Sequence, residues 1–253
     1  MDDLKGKVVL ITGASTGIGA AAARAFGAQG ARVAVHYKAS RNAAERVAED
    51  IRKAGAESAL VAGDVTKPGA AKDIVDKVVA RFGRLDVLVN NAGGLVKRTP
   101  IVEYTDEFVD AVLALNVKQV VAFVREGAIA MRRQGGGNII NVSSIAARHG
   151  GGPGSVIYAA TKGFVSTATR GWAKELVGDG IRVNAISPGV IRTPFHERFS
   201  TPELLKSMQA TIPMNRLGEP DECSGAFLFL ASDTMSGYVT GQIIEINGGQ
   251  LMP

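Results

Sequence analysis

The chain has 253 residues, 46% of them hydrophobic but only 6% aromatic, so its core must come largely from Val, Ile, Leu and Ala. That length accommodates one large α/β domain or two small ones, and the single cysteine, Cys223, excludes an internal disulfide and fits a reducing compartment. No uncharged apolar run reaches the ~20 residues of a bilayer span, and the net charge of +5 is dispersed among acids, as in "RNAAERVAEDIRK", which argues against membrane and nucleic-acid partners.

The opening "MDDLKGK" is acidic and leads straight into an apolar run, unlike a secretory signal, so a cytoplasmic location is expected. In chain order, "KVVLIT" (7–12), "RVAVHY" (32–37), "SALVAG" (58–63), "LDVLVN" (85–90), "NIINVS" (138–143), "IRVNAIS" (181–187) and "QIIEIN" (242–247) read as strands. Helical periodicity covers 17–29, 41–54, 67–82, 105–133, 156–178 and 219–231, and "GGG" (135–137) and "GGGPG" (150–154) are loops. Nearly continuous apolar strands separated by helices are what a parallel sheet covered on both faces requires. A doubly wound α/β fold with ligands at the carboxyl ends of its strands is therefore expected. No linker, repeat or low-complexity stretch appears, so residues 1–253 read as one domain.

"TGASTGIG" (12–19) lies between the first strand and the first helix. Gly13 and Gly17 free the backbone to approach a pyrophosphate, Gly19 permits close packing of helix on sheet, and the helix amino terminus offers unpaired N–H groups. A plain turn is the alternative. "YAATK" (158–162) sets Tyr158 and Lys162 four residues apart, on one helical face. A surface pair is one reading. The other is that the ammonium lowers the phenol pKa; a drop of about three units from about 10 takes ~4 kcal/mol, which demands a shielded site.

These motifs, with "NNAG" (90–93), "NVSS" (141–144), "SPGVIRTP" (187–194), "RLGEPDE" (216–222) and "INGG" (246–249), resemble the short-chain dehydrogenase/reductase family in its single-domain branch, along the whole chain. Within that branch the chain is similar to 3-oxoacyl-acyl-carrier-protein reductases and to sugar or polyol dehydrogenases. The resemblance implies a Rossmann-like sheet of seven parallel strands and an NAD(P)-dependent enzyme moving a hydride between the cofactor and a small carbonyl or secondary-alcohol substrate. Tyr158 would be the acid/base, Lys162 would also hold the nicotinamide ribose, and Ser144 (or Ser143) would steady the substrate oxygen. Asn116 would hold a water of a proton relay, or else be a buried polar residue bonded only to backbone. Ser15, Thr16 and Ile18 would line the phosphate turn with its glycines. Asp64 and Val65 would meet the adenine, although an Asp there is also a common turn former. Asn91, Ala92 and Gly93 would lie along the cofactor, and Pro188, Gly189, Ile191 and Thr193 would flank the nicotinamide. Residues 193–213 resemble a substrate lid, with an ordinary surface helix pair as the alternative. A homotetramer is implied, with helices 105–133 and 156–178 across one two-fold axis and the last helix and strand across another.

The second strand ends in Tyr37, Lys38, Ser40 and Arg41, with no carboxylate to accept a ribose 2′-hydroxyl and two cations suited to a 2′-phosphate. NADP(H) is therefore expected over NAD(H). Two departures stand beside it: Thr16 occupies a place often basic in NADP users of the family, and Ser144 lies one residue farther from Tyr158 than the commonest spacing. The rivals are an NAD-dependent sugar or polyol dehydrogenase and a dinucleotide-binding regulator without turnover. His36, His149 and His196 show no metal-binding spacing, so no metal is expected. A Ser144/Lys162 hydrolase lacks the G-x-S-x-G turn. Cys223 sits in an apolar helix and should pack.

Overall fold

The computed structural model describes residues 1–252. Strands β1 (Val8–Ile11), β2 (Arg32–Tyr37), β3 (Ser58–Ala62), β4 (Val87–Asn90), β5 (Gly137–Val142), β6 (Ile181–Pro188) and β7 (Ile243–Ile246) form one parallel sheet in the order β3-β2-β1-β4-β5-β6-β7. Every predicted strand is present, with ends that agree to within two residues.

Alternation along each strand splits the core into two layers. Val9 and Ile11 of β1 pack with Phe26 of α1 (Gly17–Ala28) and Val47 and Ile51 of α2 (Arg41–Lys53). Val8 and Leu10 face the opposite layer, with Ile74 and Val78 of α3 (Ala70–Phe82). Burial on both faces is why no polar alternation is visible in these strands. Because β1 lies between β2 and β4, the chain reverses its winding there, and the carboxyl ends of β1 and β4 flank a crevice.

The helices depart from their predicted spans for local reasons. Pro68 and Gly69 (φ +79°) delay α3 to Ala70. The long segment 105–133 is three pieces: α4 (Asp106–Leu113), capped by the Thr105 hydroxyl, a π turn over Ala114–Lys118, and α5 (Gln119–Arg132). A short α6 (Ala146–His149) fills the space before the second glycine loop and α7 (Val156–Leu176). The proposed lid is a helix pair, α8 (Pro194–Phe199) and α9 (Pro202–Ala210), each begun by a Thr-Pro step that places Pro in the first turn. Pro220–Cys223 form a 3₁₀ turn ahead of α10 (Ser224–Ala231), where Cys223 is buried and its thiol pushed up to about 12 by burial; α11 (Asp233–Ser236) follows. No described helix is long and apolar enough to cross a membrane.

Candidate active site

The glycine turn leaves β1 with Gly13 at φ +65° and Gly17 at φ +56°, backbone conformations that favour glycine. Gly19 is tight for a reason other than helix-on-sheet packing. A Cβ there would lie 2.5 Å from both the Asn91 side-chain amide and the Gly13 carbonyl, so its neighbour is the turn itself. Asn91 Nδ2 donates to the Thr12 and Gly13 carbonyls (2.8 and 3.1 Å), while the Thr12 hydroxyl accepts from the Asn91 and Ala92 N–H groups, both at 3.0 Å. The Asn91 side chain is thus a brace between the two walls of the crevice.

His36, weighed above only as a metal ligand, is a second brace. Its Nε2 faces the Gly63 carbonyl at 3.1 Å and therefore carries the proton, which leaves Nδ1 to accept from the Gly13 N–H at 3.0 Å. Burial depresses its pKa to about 4, so it is neutral at pH 7. Ser15, Thr16 and Gly17 line a cleft of about 360 Å³ together with Arg24, Arg192 and Pro194. Ile18 packs on the core beneath.

At the end of β2 both predicted phosphate-reading cations already face carboxylates. Lys38 Nζ lies 2.9 Å from Asp64 Oδ2, and Arg41 Nε donates to Glu45 Oε1 at 2.8 Å. Asp64 Oδ1 also accepts from the Thr66 hydroxyl and N–H, so the turn-forming role is real, and the Thr66 hydroxyl and then Lys38 hold its pKa down to about 2. Tyr37 and Val65 are buried; Ser40 precedes α2 without a side-chain cap.

Several of the remaining predicted contacts are spent within the protein. Ile191 is buried in the core and Gly189 lies against Asn247, whose Cα would sit 2.8 Å from an added Cβ, so neither is primarily open cleft surface. The Pro188 carbonyl accepts from the Ile145 N–H at 3.0 Å, and Thr193 packs its methyl against Gly17. Asn90 Nδ2 donates to Asn141 Oδ1 (2.9 Å), and Asn141 in turn to Thr169, a chain that fastens β4 to β5 and α7.

Tyr158 and Lys162 share the first turns of α7, and Ser144 follows β5. Lys162 is buried and its Nζ donates to the Val142 carbonyl at 2.7 Å while lying 5.7 Å from the Tyr158 ring centroid. Tyr158 keeps part of its surface open, with Phe195 of α8 tilted against it at 5.8 Å. Ser144 is the serine that acts on the Tyr158 phenol, pulling its pKa down, and its Oγ accepts from the Ala146 N–H at 3.1 Å; Ser143 is turned away, donating to the Lys162 carbonyl and paired with Ser166. Burial pushes the phenol up to about 12, against the pull of Ser144, and lowers Lys162 to about 8. Among the protein's own groups, then, burial outweighs the downward pull of Ser144 on Tyr158.

Asn116 lies fully buried inside the π turn. Its Oδ1 accepts from the Gly94 N–H (3.0 Å) and its Nδ2 donates to the Gly94 and Val112 carbonyls (2.9 and 3.0 Å), so the side chain is bonded only to backbone. It holds the loop after β4, with both amide hydrogens engaged. Gln119, unremarked in the sequence, does the same from the next turn, donating to the Ala92 and Leu115 carbonyls. A polar residue in an apolar helix was the available signal. Gly93 sits between these groups: a Cβ there would be 2.9 Å from Asn116 Oδ1 and 3.3 Å from Lys162 Nζ. Positive-φ glycines in the turn after β1 and a bare Gly93 beside Lys162 form a cradle that side chains would fill, which fits an extended dinucleotide. Among the described residues no three His, Cys, Asp or Glu side chains converge as a metal site would need.

The family profile described as enoyl-(acyl carrier protein) reductase matches residues 13–250. The chain is 42% identical over 247 residues to the 3-oxoacyl-[acyl-carrier-protein] reductase FabG of Thermotoga maritima, covering 97% of this chain and 98% of that one. Among solved structures it is similar to the NADH-dependent reductase A1-R′ responsible for alginate metabolism, with TM-score 0.92, 36% identity and full coverage of both chains. A short-chain type dehydrogenase/reductase from Mycobacterium marinum matches with TM-score 0.93 and 36% identity, covering 99% of this chain and 98% of the other.

Proposed function

The chain belongs to the short-chain dehydrogenase/reductase family and is an NAD(P)-dependent oxidoreductase acting between a carbonyl and its alcohol; from that premise we propose an NADP(H)-dependent ketone reductase, with 3-oxoacyl thioesters as the leading substrate class. The observation that carries the proposal is the grouping of Tyr158, Ser144 and the buried Lys162 beside the bare Gly93; the phenol, like any of ordinary pKa, is protonated at neutral pH. A protonated phenol is ready to donate, which is what carbonyl reduction asks of it.

Bound in the crevice, the reduced nicotinamide would supply the hydride. Tyr158 gives its proton to the substrate oxygen as negative charge develops there, and Ser144 orients that oxygen. Lys162, anchored on Val142, stabilises the phenolate left behind and would hold the nicotinamide ribose. Gly13, Ser15, Thr16, Gly17, Ile18 and Gly19 would cradle the phosphates, Asp64 and Val65 the adenine, and Ala92, Gly93, Pro188 and Thr193 the nicotinamide end. Asn91, Asn116 and Gln119 act indirectly, by holding the loops that form the crevice. In the oxidative direction the same tyrosine must first lose its proton, so alcohol oxidation should favour alkaline pH.

The 3-oxoacyl assignment leans on the relative from Thermotoga maritima. NADP(H) leans on Lys38 and Arg41 and on the lack of an acid at the end of β2. A second reading, NAD(H), is favoured by the carboxylates that already face both cations and by the NADH-dependent reductase of similar structure. We also read residues 1–253 as one domain with 193–213 as its lid, working in the cytoplasm as a homotetramer. Support for assembly comes from apolar side chains left exposed on α5 and α7 (Val121, Ile129, Val156, Phe164) and from β7, an apolar edge strand with no fully buried residue.

The test is consumption of NADPH and NADH with a 3-oxoacyl thioester, neutral ketones and a 2-enoyl thioester, and of the oxidised cofactors with sugars and polyols. NADPH-dependent loss of the 3-oxo substrate is expected. Turnover confined to the enoyl thioester or to sugars with NAD would overturn the assignment.

A further inference from the structure

Arg98, just beyond the loop that follows β4, joins three segments around Tyr158. Its Nε donates to the Phe199 carbonyl at the end of α8 (2.6 Å), and its Nη1 to the Pro153 carbonyl in the glycine loop that leads into α7 (3.0 Å). Burial lowers its pKa, with no carboxylate among the described residues to offset it. The guanidinium is thus held for its N–H geometry toward two carbonyls rather than for an ion pair.

The surroundings are set closely for this arrangement. The Thr99 N–H donates to the Gly154 carbonyl at 3.0 Å, and a Cβ on Gly154 (φ +72°) would lie 3.1 Å from Arg98 Cβ. Val96, two residues earlier, stands at φ +65°, a strained conformation for a β-branched residue that persists only where neighbours over-determine it. Helix α8, by contrast, has no buried residue and so little apolar packing of its own to hold it down. Yet it carries Phe195, whose ring lies against Tyr158 at 5.8 Å and against Phe199 at 5.2 Å.

We propose that Arg98 is a positioning residue that latches α8 over the cleft, so that Phe195 shields the Tyr158 hydroxyl from water, and that fixes the loop before α7 through its second bond. The role rests on the reductase function proposed above. Without the latch α8 lifts, water enters, and the geometry between proton donor and substrate loosens; misplacement of this kind costs about 100-fold in rate.

The full-length chain and two variants provide the test. Arg98→Met keeps the aliphatic stem but removes the donors, and Arg98→Lys keeps a cation able to reach one carbonyl. Chymotrypsin cleavage after Phe195 and Phe199, followed by mass spectrometry, reads the latch without any turnover. Cleavage is expected to accelerate about 10-fold in Arg98→Met and less in Arg98→Lys, as local opening becomes easier. In ketone reduction kcat should fall about 10- to 100-fold in Arg98→Met, with partial rescue in Arg98→Lys and a dinucleotide Kd within about twofold of wild type. Wild-type cleavage rates in both variants would overturn the latch, as would faster cleavage with unchanged kcat. A wild-type chain inactive toward every carbonyl would instead count against the reductase function, and cleavage would still decide whether Arg98 holds α8. If Arg98→Met does not fold, the Arg98→Lys rates decide alone.

Discussion

The Lys162 ammonium lies 5.7 Å from the centre of the Tyr158 ring and donates to the Val142 carbonyl, so its charge is fixed in place behind the phenol. Replacing Tyr158 by Phe removes the proton donor while leaving this scaffold standing. We expect kcat for ketone reduction to drop about 10²- to 10⁴-fold with dinucleotide affinity retained, measured by steady-state kinetics and nucleotide titration. Turnover near wild type would remove Tyr158 from the chemistry.

Burial brings Lys162 to about 8 and Tyr158 to about 12. The ammonium is present below its pKa and is lost as pH rises through it. The kcat/KM for reduction should therefore be level below about pH 8 and decline above it, as read from a pH–rate profile. A profile level to pH 10 would show that the ionisation of Lys162 does not govern the reaction.

Gly93 and Gly94 form an internal comparison. A methyl group at Gly93 meets Asn116 Oδ1 at 2.9 Å and Lys162 Nζ at 3.3 Å, whereas one at Gly94 meets only Leu115 at 3.7 Å. Gly93→Ala should cost about 1–3 kcal/mol by overpacking and lower kcat/KM, and Gly94→Ala should do much less. Urea unfolding and steady-state rates of the two variants check this.

His36 should make stability depend on pH. Its folded pKa of about 4 lies below the ordinary 6.5, so the unfolded chain binds the proton more readily between those values. Its contribution is therefore complete above about pH 6.5 and is lost as pH falls toward 4, amounting to about 3 kcal/mol. His196, also depressed to about 4 by burial and by Arg98, titrates in the same window, so the comparison is with His36→Gln. Urea unfolding at pH 7 and pH 4.5 should show a smaller loss in that variant.

Cofactor choice should respond to Glu45. Arg41 is exposed and paired with it at 2.8 Å, and freeing the guanidinium makes it available to a 2′-phosphate. Glu45→Gln is expected to raise the NADPH/NADH ratio of kcat/KM a few-fold, and Lys38→Ala to lower it. A ratio unmoved by both changes would mean that neither cation reads the ribose.

Much was legible from the chain alone, and for an identifiable reason. Strand runs such as "KVVLIT", the glycines of "TGASTGIG" and the spacing of "YAATK" are short-range patterns governed by backbone sterics and by burial on one or two faces. They sufficed for the order of strands and helices and for the elements that carry Ser144, Tyr158 and Lys162. The helix pair weighed for 193–213 was readable in outline, and the structure sets its bounds as α8 and α9. Tertiary structure alone decided the rest. Asn91 bonds across 78 residues to Gly13, Arg98 across 101 to Phe199, and Lys38 finds Asp64 just beyond the next strand, partners that no local pattern names. The direction of the Tyr158 pKa belongs here too: sequence shows which charge is four residues away, but desolvation depends on everything the fold packs around the hydroxyl, and that outweighed the pull of Ser144.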